Sequence, residues 1–232
     1  DWSSDVCSSD LALITGGSRG IGLFVAERLA EEGCDLVLVA RGTDALEEAR
    51  KRLARYPVAV RIHVADLAQS AAVDAVALAY PAIDILVNNA GAIQTGSLEE
   101  IDEALWRQFW DLKVFGYINL TRAYYRLMKA RRSGVIINII GAAAERLRHD
   151  YIAGTAGNAS LMAFTQALGS VSPDHGVRVL GVNPASVLTD KTLISFRRKA
   201  LEKFGDESRW QELAANKPFG RTIAPHEISA VV

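Results

Sequence analysis

The sequence predicts an α/β fold, a single doubly wound domain built on a parallel sheet with helices on both faces. Three observations predict it. Short, nearly continuous apolar runs recur along the chain, amphipathic runs separate them, and a glycine cluster directly follows the first apolar run. Strands buried on both faces of a parallel sheet need apolar residues at nearly every position, not at alternate ones. Regular alternation of such strands with helical patterns supplies the covering layers.

The elements follow in order. "LALITGG" (11–17) reads as the first strand, running into a glycine turn. "GLFVAERLAEEG" (22–33) reads as a helix closed by Gly33, a residue suited to ending helices. "CDLVLVA" (34–40) is the second strand. "TDALEEARKRLARY" (43–56) is a helix whose charged run is its solvated face. "VAVRIHVAD" (58–66) and "IDILVNNAG" (83–91) are the third and fourth strands, and "GVIINIIG" (134–141) and "GVRVLGVNP" (176–184) the fifth and sixth. Between them, "VFGYINLTRAYYRLMKARR" (114–132) pairs an apolar stripe with a basic end, and "SLMAFTQALGSVS" (160–172) reads as a further helix. "APHEISAVV" (224–232) starts as a helix with Pro225 in its first turn, and a final strand is expected to be missing after it. Residues 12–232 carry no internal repeat, low-complexity tract or linker.

The 232 residues are half apolar, enough for one well-buried core. The formal charge is −1 and no basic block stands out, which gives nucleic-acid binding no electrostatic support. No apolar run is long enough to span a bilayer. "DWSSDVCSSDL" (1–11) resembles the translation of a sequencing-library adapter and is expected to be a non-native leader, so that the domain covers 12–232. Without it Asp1, Asp5 and Asp10 are lost and the charge becomes slightly positive. Cys7 also goes, leaving Cys34 alone, which rules out an internal disulfide and suits a reducing cytoplasm. His63, His149, His175 and His226 are isolated and lack metal-ligand spacing, so no metal is expected.

"TGGSRGIG", Thr15 to Gly22, joins the first strand to the first helix. In that setting glycines allow a tight turn and a close backbone approach to a pyrophosphate, and the helix start offers N–H groups and a positive dipole end. An ordinary glycine-rich turn would look the same in isolation. Here "NNAG" (88–91) follows the fourth strand and Asp66 ends the third, in that order. The combination resembles the short-chain dehydrogenase/reductase family in its single-domain, Rossmann-like form, over residues 12–232. "RVLGVNPASVLTD" and "APHEI" fit the family's later segments.

The resemblance implies roles residue by residue. Gly16, Ser18, Arg19, Gly20, Ile21 and Gly22 would hold the pyrophosphate and adenosine ribose of a nicotinamide dinucleotide. Asp66 and Leu67 would flank the adenine. Asn89, Ala90 and Gly91 would support the sheet and the cofactor's ribose, and Val187 and Thr189 would meet the nicotinamide amide. Asn88 and Asn89 also fit strand-end caps, and Asp66 a turn. The substrate would be a small carbonyl or alcohol, covered by residues 189–213. There Phe196, Phe204 and Trp210 line a pocket or a small core, and Arg197, Arg198 and Lys199 face an acidic substrate or solvent. A homodimer or homotetramer would pack through residues 114–132 and the helix near Tyr151. A carboxylate at the end of the second strand would bind a ribose 2′-hydroxyl and repel a 2′-phosphate. This strand ends instead in Ala40 and Arg41. Arg41 suits a phosphate and Arg19 adds a second cation, so NADP(H) is expected over NAD(H), with a solvated loop charge as the alternative for Arg41.

The family's chemistry implies a tyrosine that moves the proton, a lysine four residues later, a serine that polarises the substrate oxygen and an asparagine on the preceding helix. Counted from Pro184 and "SLMAFTQALG", these positions fall on Gly154, Asn158, Gly141 and Lys113. None carries the usual residue. Three readings stay open. The first is relocation: with the helix already running at residue 151, Tyr151, Gly154 and Asn158 share a face. Tyr151 then acts from one turn earlier, Lys113 supplies the cation and Asn158 holds the ribose. The second is a different reaction, with the proton drawn from substrate or water. The third is a nucleotide-binding sensor or partner-binding protein that has lost catalysis. A solvent-facing Tyr151, a surface Lys113 and a loop His149 are the plain alternatives.

Overall fold

The structure, a computed structural model, describes residues 10–91 and 93–232. Six parallel strands form one sheet: Leu11–Thr15 (β1), Asp35–Ala40 (β2), Val60–Val64 (β3), Ile85–Asn88 (β4), Gly134–Ile139 (β5) and Val177–Val182 (β6). Their order is β3-β2-β1-β4-β5-β6. The helices are Gly20–Glu31 (α1), Thr43–Leu53 (α2), Ser70–Ala79 (α3), Glu103–Trp110 (α4), Gly116–Arg131 (α5), Ile152–Gly169 (α6), Asp190–Phe204 (α7) and Pro225–Ser229 (α8). The chain leaves β1 for β2 on one side and later returns to place β4 on its other side. At such a reversal the connecting loops part and a crevice opens beyond the strand ends.

The sheet separates two apolar layers. On one face Ala12, Ile14, Leu36 and Leu38 pack with Val25, Leu29, Leu46 and Leu53 from α1 and α2. On the other, Leu13, Val37, Leu86 and Ile136 pack with Val73 and Val76 of α3 and Leu120, Tyr124 and Met128 of α5. Successive strand residues therefore feed opposite cores, which is why these sequences are apolar throughout. The expectation holds for β1, β2, β4 and most of β5. It fails at the edges, where Arg61 and Val64 of β3 and Arg178 and Leu180 of β6 are exposed. An edge strand lacks one neighbour, and its covering helices reach over it only in part.

Two boundaries change. Leu11, placed in the leader by sequence, begins β1, pairs with Asp35 and donates its N–H to Asp84 at 3.0 Å. The rest of that leader up to residue 9 lies outside the described residues. Helix α6 begins at Ile152, eight residues before the stretch quoted for it.

A buried carboxylate joins α1 to α2. Glu27, 6% exposed, accepts from Arg52 Nε at 2.7 Å, Arg52 Nη2 at 2.8 Å and Arg55 Nη2 at 2.8 Å. Glu27→Gln keeps the shape and removes the charge from three hydrogen bonds. A loss of about 2 kcal/mol in urea unfolding is expected, and an unchanged midpoint would show that the network adds nothing.

Candidate active site

The crevice begins at the turn between β1 and α1. Gly16 (φ +64°) and Gly20 (φ +56°) adopt the left-handed conformation that side chains resist. Arg19, just before α1, is extended and gives no side-chain cap, and the first turn holds no acid. The first N–H groups of α1 and its positive end are thus left for an anion. A Cβ on Gly22 would overlap the carbonyl oxygen of Gly16 and the amide of Asn89, so only glycine lets the helix start this close. Ile21 packs partly against the core, and Ser18 is half-buried.

Thr15, which sequence reasoning passed over, fixes this turn. Its Oγ1 accepts from Asn89 N at 2.8 Å and Ala90 N at 2.9 Å and donates to Val87 O at 3.3 Å. Asn89 Nδ2 donates to Thr15 O at 3.0 Å and Gly16 O at 3.3 Å. Asn89 and Ala90 therefore hold the glycine turn. Asn88 instead lies deep in the sheet, donating to Thr121 Oγ1 at 3.1 Å and Asn138 Oδ1 at 2.9 Å. The opposite wall is the segment after β6. Thr189 caps α7, and its methyl lies 3.6 Å from where a Cβ on Gly20 would stand. Val187 is buried in a bridge with Ile223 that uses the N–H groups of Leu188 and Ile223 rather than its own.

A cavity of about 380 Å³ lies beyond β2 and β3, lined by Arg41, Asp66, Gln69, Arg107 and Gln108 among others. Asp66 Oδ1 closes a turn by accepting from Ala68 N at 3.2 Å. Leu67 departs from expectation: its side chain is buried in the core with Leu13 and Val37, and it is not among the residues that line the cavity. Arg41 and Arg19 are both exposed and enter no ion pair among the described residues, unlike the Arg107–Glu103 pair at 2.8 Å.

Of the four positions read from the sequence as lacking the usual residue, the two glycines, Gly154 and Gly141, are filled from neighbouring residues. Helix α6 does not yet run at residue 151. Tyr151 has φ −146° and ψ 41°, held by a bridge with Gly96, so the shared-face spacing argument does not apply as made. The ring nevertheless lies over Gly154, because the first turn closes through Thr155 N to Tyr151 O at 2.8 Å. A Cβ on Gly154 would overlap the Tyr151 ring and stand 2.6 Å from its hydroxyl. Tyr151 is thus mostly buried beside Ile93, Ile101, Phe109 and Ala153. Burial raises its pKa, and Arg148, 5.9 Å from the ring centroid, opposes the rise. At Gly141 a Cβ would lie 2.9 Å from Asn158 Nδ2, so the Asn158 amide occupies the side-chain space Gly141 leaves. Asn158 is 3% exposed, donates weakly to Gly141 O at 3.4 Å, and its Oδ1 is buried with no partner among the described residues.

Lys113 is not a surface lysine. It sits in a five-residue π-turn, Asp111–Phe115, between α4 and α5 and is 8% exposed. Such wide turns swing one side chain off the helix line. Its stem crosses Gly91, where a Cβ would stand 2.6 Å from Lys113 Cδ. Nζ donates to Ile139 O at 2.8 Å, Ile140 O at 3.1 Å and Tyr117 Oη at 3.1 Å. The expected direct service to Tyr151 is thus replaced by these three acceptors, which lie nearer the end of β5. Burial lowers the pKa of Lys113 to about 7. Tyr117 is the second functional candidate that sequence reasoning missed, although its i+4 spacing from Lys113 was there to be read. Among the described residues no cluster of His, Cys, Asp or Glu could hold a metal.

The short chain dehydrogenase family model matches residues 10–198. Galactitol 2-dehydrogenase (L-tagatose-forming) of Cereibacter sphaeroides is 33% identical over 224 residues, covering 94% of this chain and 84% of its own. The L-sorbose reductase of Gluconobacter frateurii, solved with NADPH and L-sorbose, superposes with a TM-score of 0.91 at 32% identity, covering 97% of this chain and 88% of its own. An NADPH-bound short chain oxidoreductase of Pseudomonas aeruginosa PAO1 that contains an atypical catalytic center superposes at 0.84 with 28% identity, covering 96% and 87%. The chain belongs to the short chain dehydrogenase family and is an NAD(P)-dependent oxidoreductase of it.

Proposed function

We propose that the protein transfers a hydride between NADP(H) and a carbonyl or alcohol substrate, with Tyr151 as the residue that gives or takes the proton. The observation that carries this is the Tyr151 ring lying in the space that Gly154 leaves empty. Its hydroxyl stands 2.6 Å from where a residue-154 side chain would begin, which supports Tyr151 as the phenol serving that position.

The residues present fit the cofactor. The uncapped start of α1, with Gly16, Ser18, Arg19, Gly20, Ile21 and Gly22, would hold the pyrophosphate. The cavity at Arg41 and Asp66 would take the adenosine, with Arg41 and Arg19 on the 2′-phosphate. Asn158 Oδ1 is a buried acceptor without a donor among the described residues, which a ribose hydroxyl would supply. The N–H of Val187, beside Thr189 and without a partner among the described residues, suits the nicotinamide amide. When bound, the nicotinamide supplies or takes up the hydride. The chain's own part is to orient the substrate oxygen toward Tyr151 Oη and keep the phenol protonated until it is needed. Its raised pKa favours the acid form, which suits reduction of a carbonyl.

NADPH oxidation against a carbonyl panel tests this, starting with ketoses because the relatives named above act on a ketose and a polyol. Saturable NADPH binding without turnover of any carbonyl would instead favour a nucleotide-binding protein. Arg41→Asp is expected to weaken NADPH against NADH by about 10–100-fold, the worth of one or two charge-assisted hydrogen bonds lost and a repulsion added. An unchanged ratio of kcat/KM for the two cofactors would refute the 2′-phosphate assignment.

A further inference from the structure

A second cavity, of about 380 Å³, opens beside Tyr151. Three of the residues that line it also hold that tyrosine. Gly96 forms the bridge that sets the Tyr151 backbone, Asp150 precedes Tyr151 in the chain, and Ile101 belongs to the cluster its ring packs against. Gly96 N donates to Asp150 O at 2.9 Å and Ile152 N donates to Gly96 O at 3.3 Å, so this wall and the proton-transfer residue share one hydrogen-bonded backbone. A Cβ on Gly96 would stand 2.6 Å from Ile101 Cδ1, so glycine is what lets Ile101 pack this close. Lys199, from the second half of α7, also lines the cavity.

Gln94, Thr95, Glu100 and Asp150 join Lys199 in giving the cavity a polar wall, and all five are exposed. Its two carboxylates are already engaged. Glu100 Oε2 accepts from Ser97 N at 2.7 Å, and Asp150 accepts from Arg148 Nε at 2.9 Å and Nη2 at 2.5 Å. The Gln94 amide, the Thr95 hydroxyl and the Lys199 ammonium enter no hydrogen bond or ion pair among the described residues. We infer that this cavity is the subsite for the part of the substrate beyond the reacting carbonyl, and that it takes a short neutral chain bearing hydroxyls. The inference rests on the proton-transfer role of Tyr151 and names the substrate class that goes with it.

The lining decides the class. An alkyl chain would strip water from the polar wall and return no hydrogen bond to it. Ile101 offers little in exchange, because it is already buried against the Tyr151 cluster. An anionic chain would reach Lys199 but also face the carboxylates of Glu100 and Asp150, and a cationic one would face Lys199, so charge of either sign meets its like. A hydroxyl both donates and accepts. Lys199 and the Gln94 NH₂ donate, the Gln94 carbonyl and the remaining lone pairs of the carboxylates accept, and Thr95 does either. Gln94, Thr95 and Lys199 are thus specificity-determining residues for the reaction.

Erythrulose, 2-butanone and acetoacetate test this, since they are ketones of equal chain length ending in hydroxylated, alkyl and carboxylate carbon. For NADPH-dependent reduction, kcat/KM is expected to favour erythrulose over 2-butanone by at least about 10-fold, the worth of one well-placed hydrogen bond, and to place acetoacetate below erythrulose. Thr95→Val and Gln94→Leu should each cut the erythrulose-to-butanone ratio by about 3–10-fold, through KM more than kcat. A merely structural role would lower both substrates alike and leave the ratio where it was. A second measurement needs no turnover. Erythritol, which cannot react with the reduced cofactor, is titrated into the NADPH-loaded protein and followed by ligand NMR, with 2-butanol as control. Thr95→Val should weaken erythritol by the same factor and leave 2-butanol unaffected. A wild-type preference for 2-butanone or acetoacetate, or a ratio that neither variant moves, overturns the subsite, while turnover lost in Tyr151→Phe still upholds the proton-transfer role. No turnover of any ketone removes that role instead. Erythritol binding that Thr95→Val weakens would then still place a hydroxylated ligand in the cavity, and binding indifferent to both variants would overturn the subsite as well.

Discussion

Tyr151→Phe is expected to lower kcat for carbonyl reduction by about 10²–10⁴-fold, the range removed with a positioned general acid, while the fold and NADPH binding persist. The change deletes one oxygen. The ring keeps its seat over Gly154 and against Ile93, Ile101, Phe109 and Ala153, so the packing cost is small. No other phenol can take over directly, since Tyr117 is 1% exposed and donates to Ile139 O. The pH dependence follows from the direction of the shift. Burial holds the Tyr151 proton on past its usual range, so the acid form is retained at neutral pH and reduction should not lose its donor below pH ~10. Any break nearer neutrality belongs to another group, and Lys113 is the buried one that titrates there. Oxidation of the alcohol, which needs the phenolate, should gain rate as pH rises. Stopped-flow measurement of NADPH consumption decides the matter, and a Tyr151→Phe variant with wild-type kcat would end the assignment.

The fold was legible because its signals are local. Apolar runs such as Leu36–Val39 and Leu86–Val87 had to lie between two cores, Gly16 and Gly20 had to turn the chain into α1, and Gly22 had to let the helix start close to that turn. The phosphate cradle followed from the same stretch. Exposure at β3 and β6 was not legible, since a strand's place in the sheet depends on pairings that its own residues do not state. For the site the sequence offered Tyr151, Lys113 and Asn158 as candidates, but not how they are seated. Which side chain fills the space left by a glycine is settled by residues distant along the chain: Gly141 is filled by Asn158, and Gly91 is crossed by Lys113. Spacing placed Tyr151 near Gly154 for an imperfect reason, a helix assumed to run through residue 151, whereas the bridge to Gly96 sets its backbone. Lys113 reads in sequence as the cation serving Tyr151, with a surface charge as the alternative, and its burial against the end of β5 was not legible because the wide turn that causes it has no sequence signature of its own. Leu67 was assigned by position in a motif, but its side chain answers to the core.

Gly154→Ala should abolish turnover as fully as Tyr151→Phe, by about 10²–10⁴-fold, although every polar group of the site remains. The added methyl would occupy the volume now held by the Tyr151 ring, and a ring cannot yield by a few tenths of an ångström when the overlap is with its own carbons. It must rotate away, carrying its hydroxyl out of reach of the substrate. Stability should respond differently. Alanine in the first turns of α6 gains up to about 1 kcal/mol over glycine, which offsets part of the packing lost when Tyr151 leaves its cluster. A protein near wild-type Tm, with NADPH bound and carbonyl reduction gone, is the expected result. The double variant supplies the sharper comparison. If Gly154 acts only by making room for the phenol, adding Tyr151→Phe to Gly154→Ala should cost almost nothing more, because the hydroxyl has already been displaced. Additive losses would mean that the glycine serves some other purpose, and full activity in Gly154→Ala would show that the ring is not where the proton is transferred.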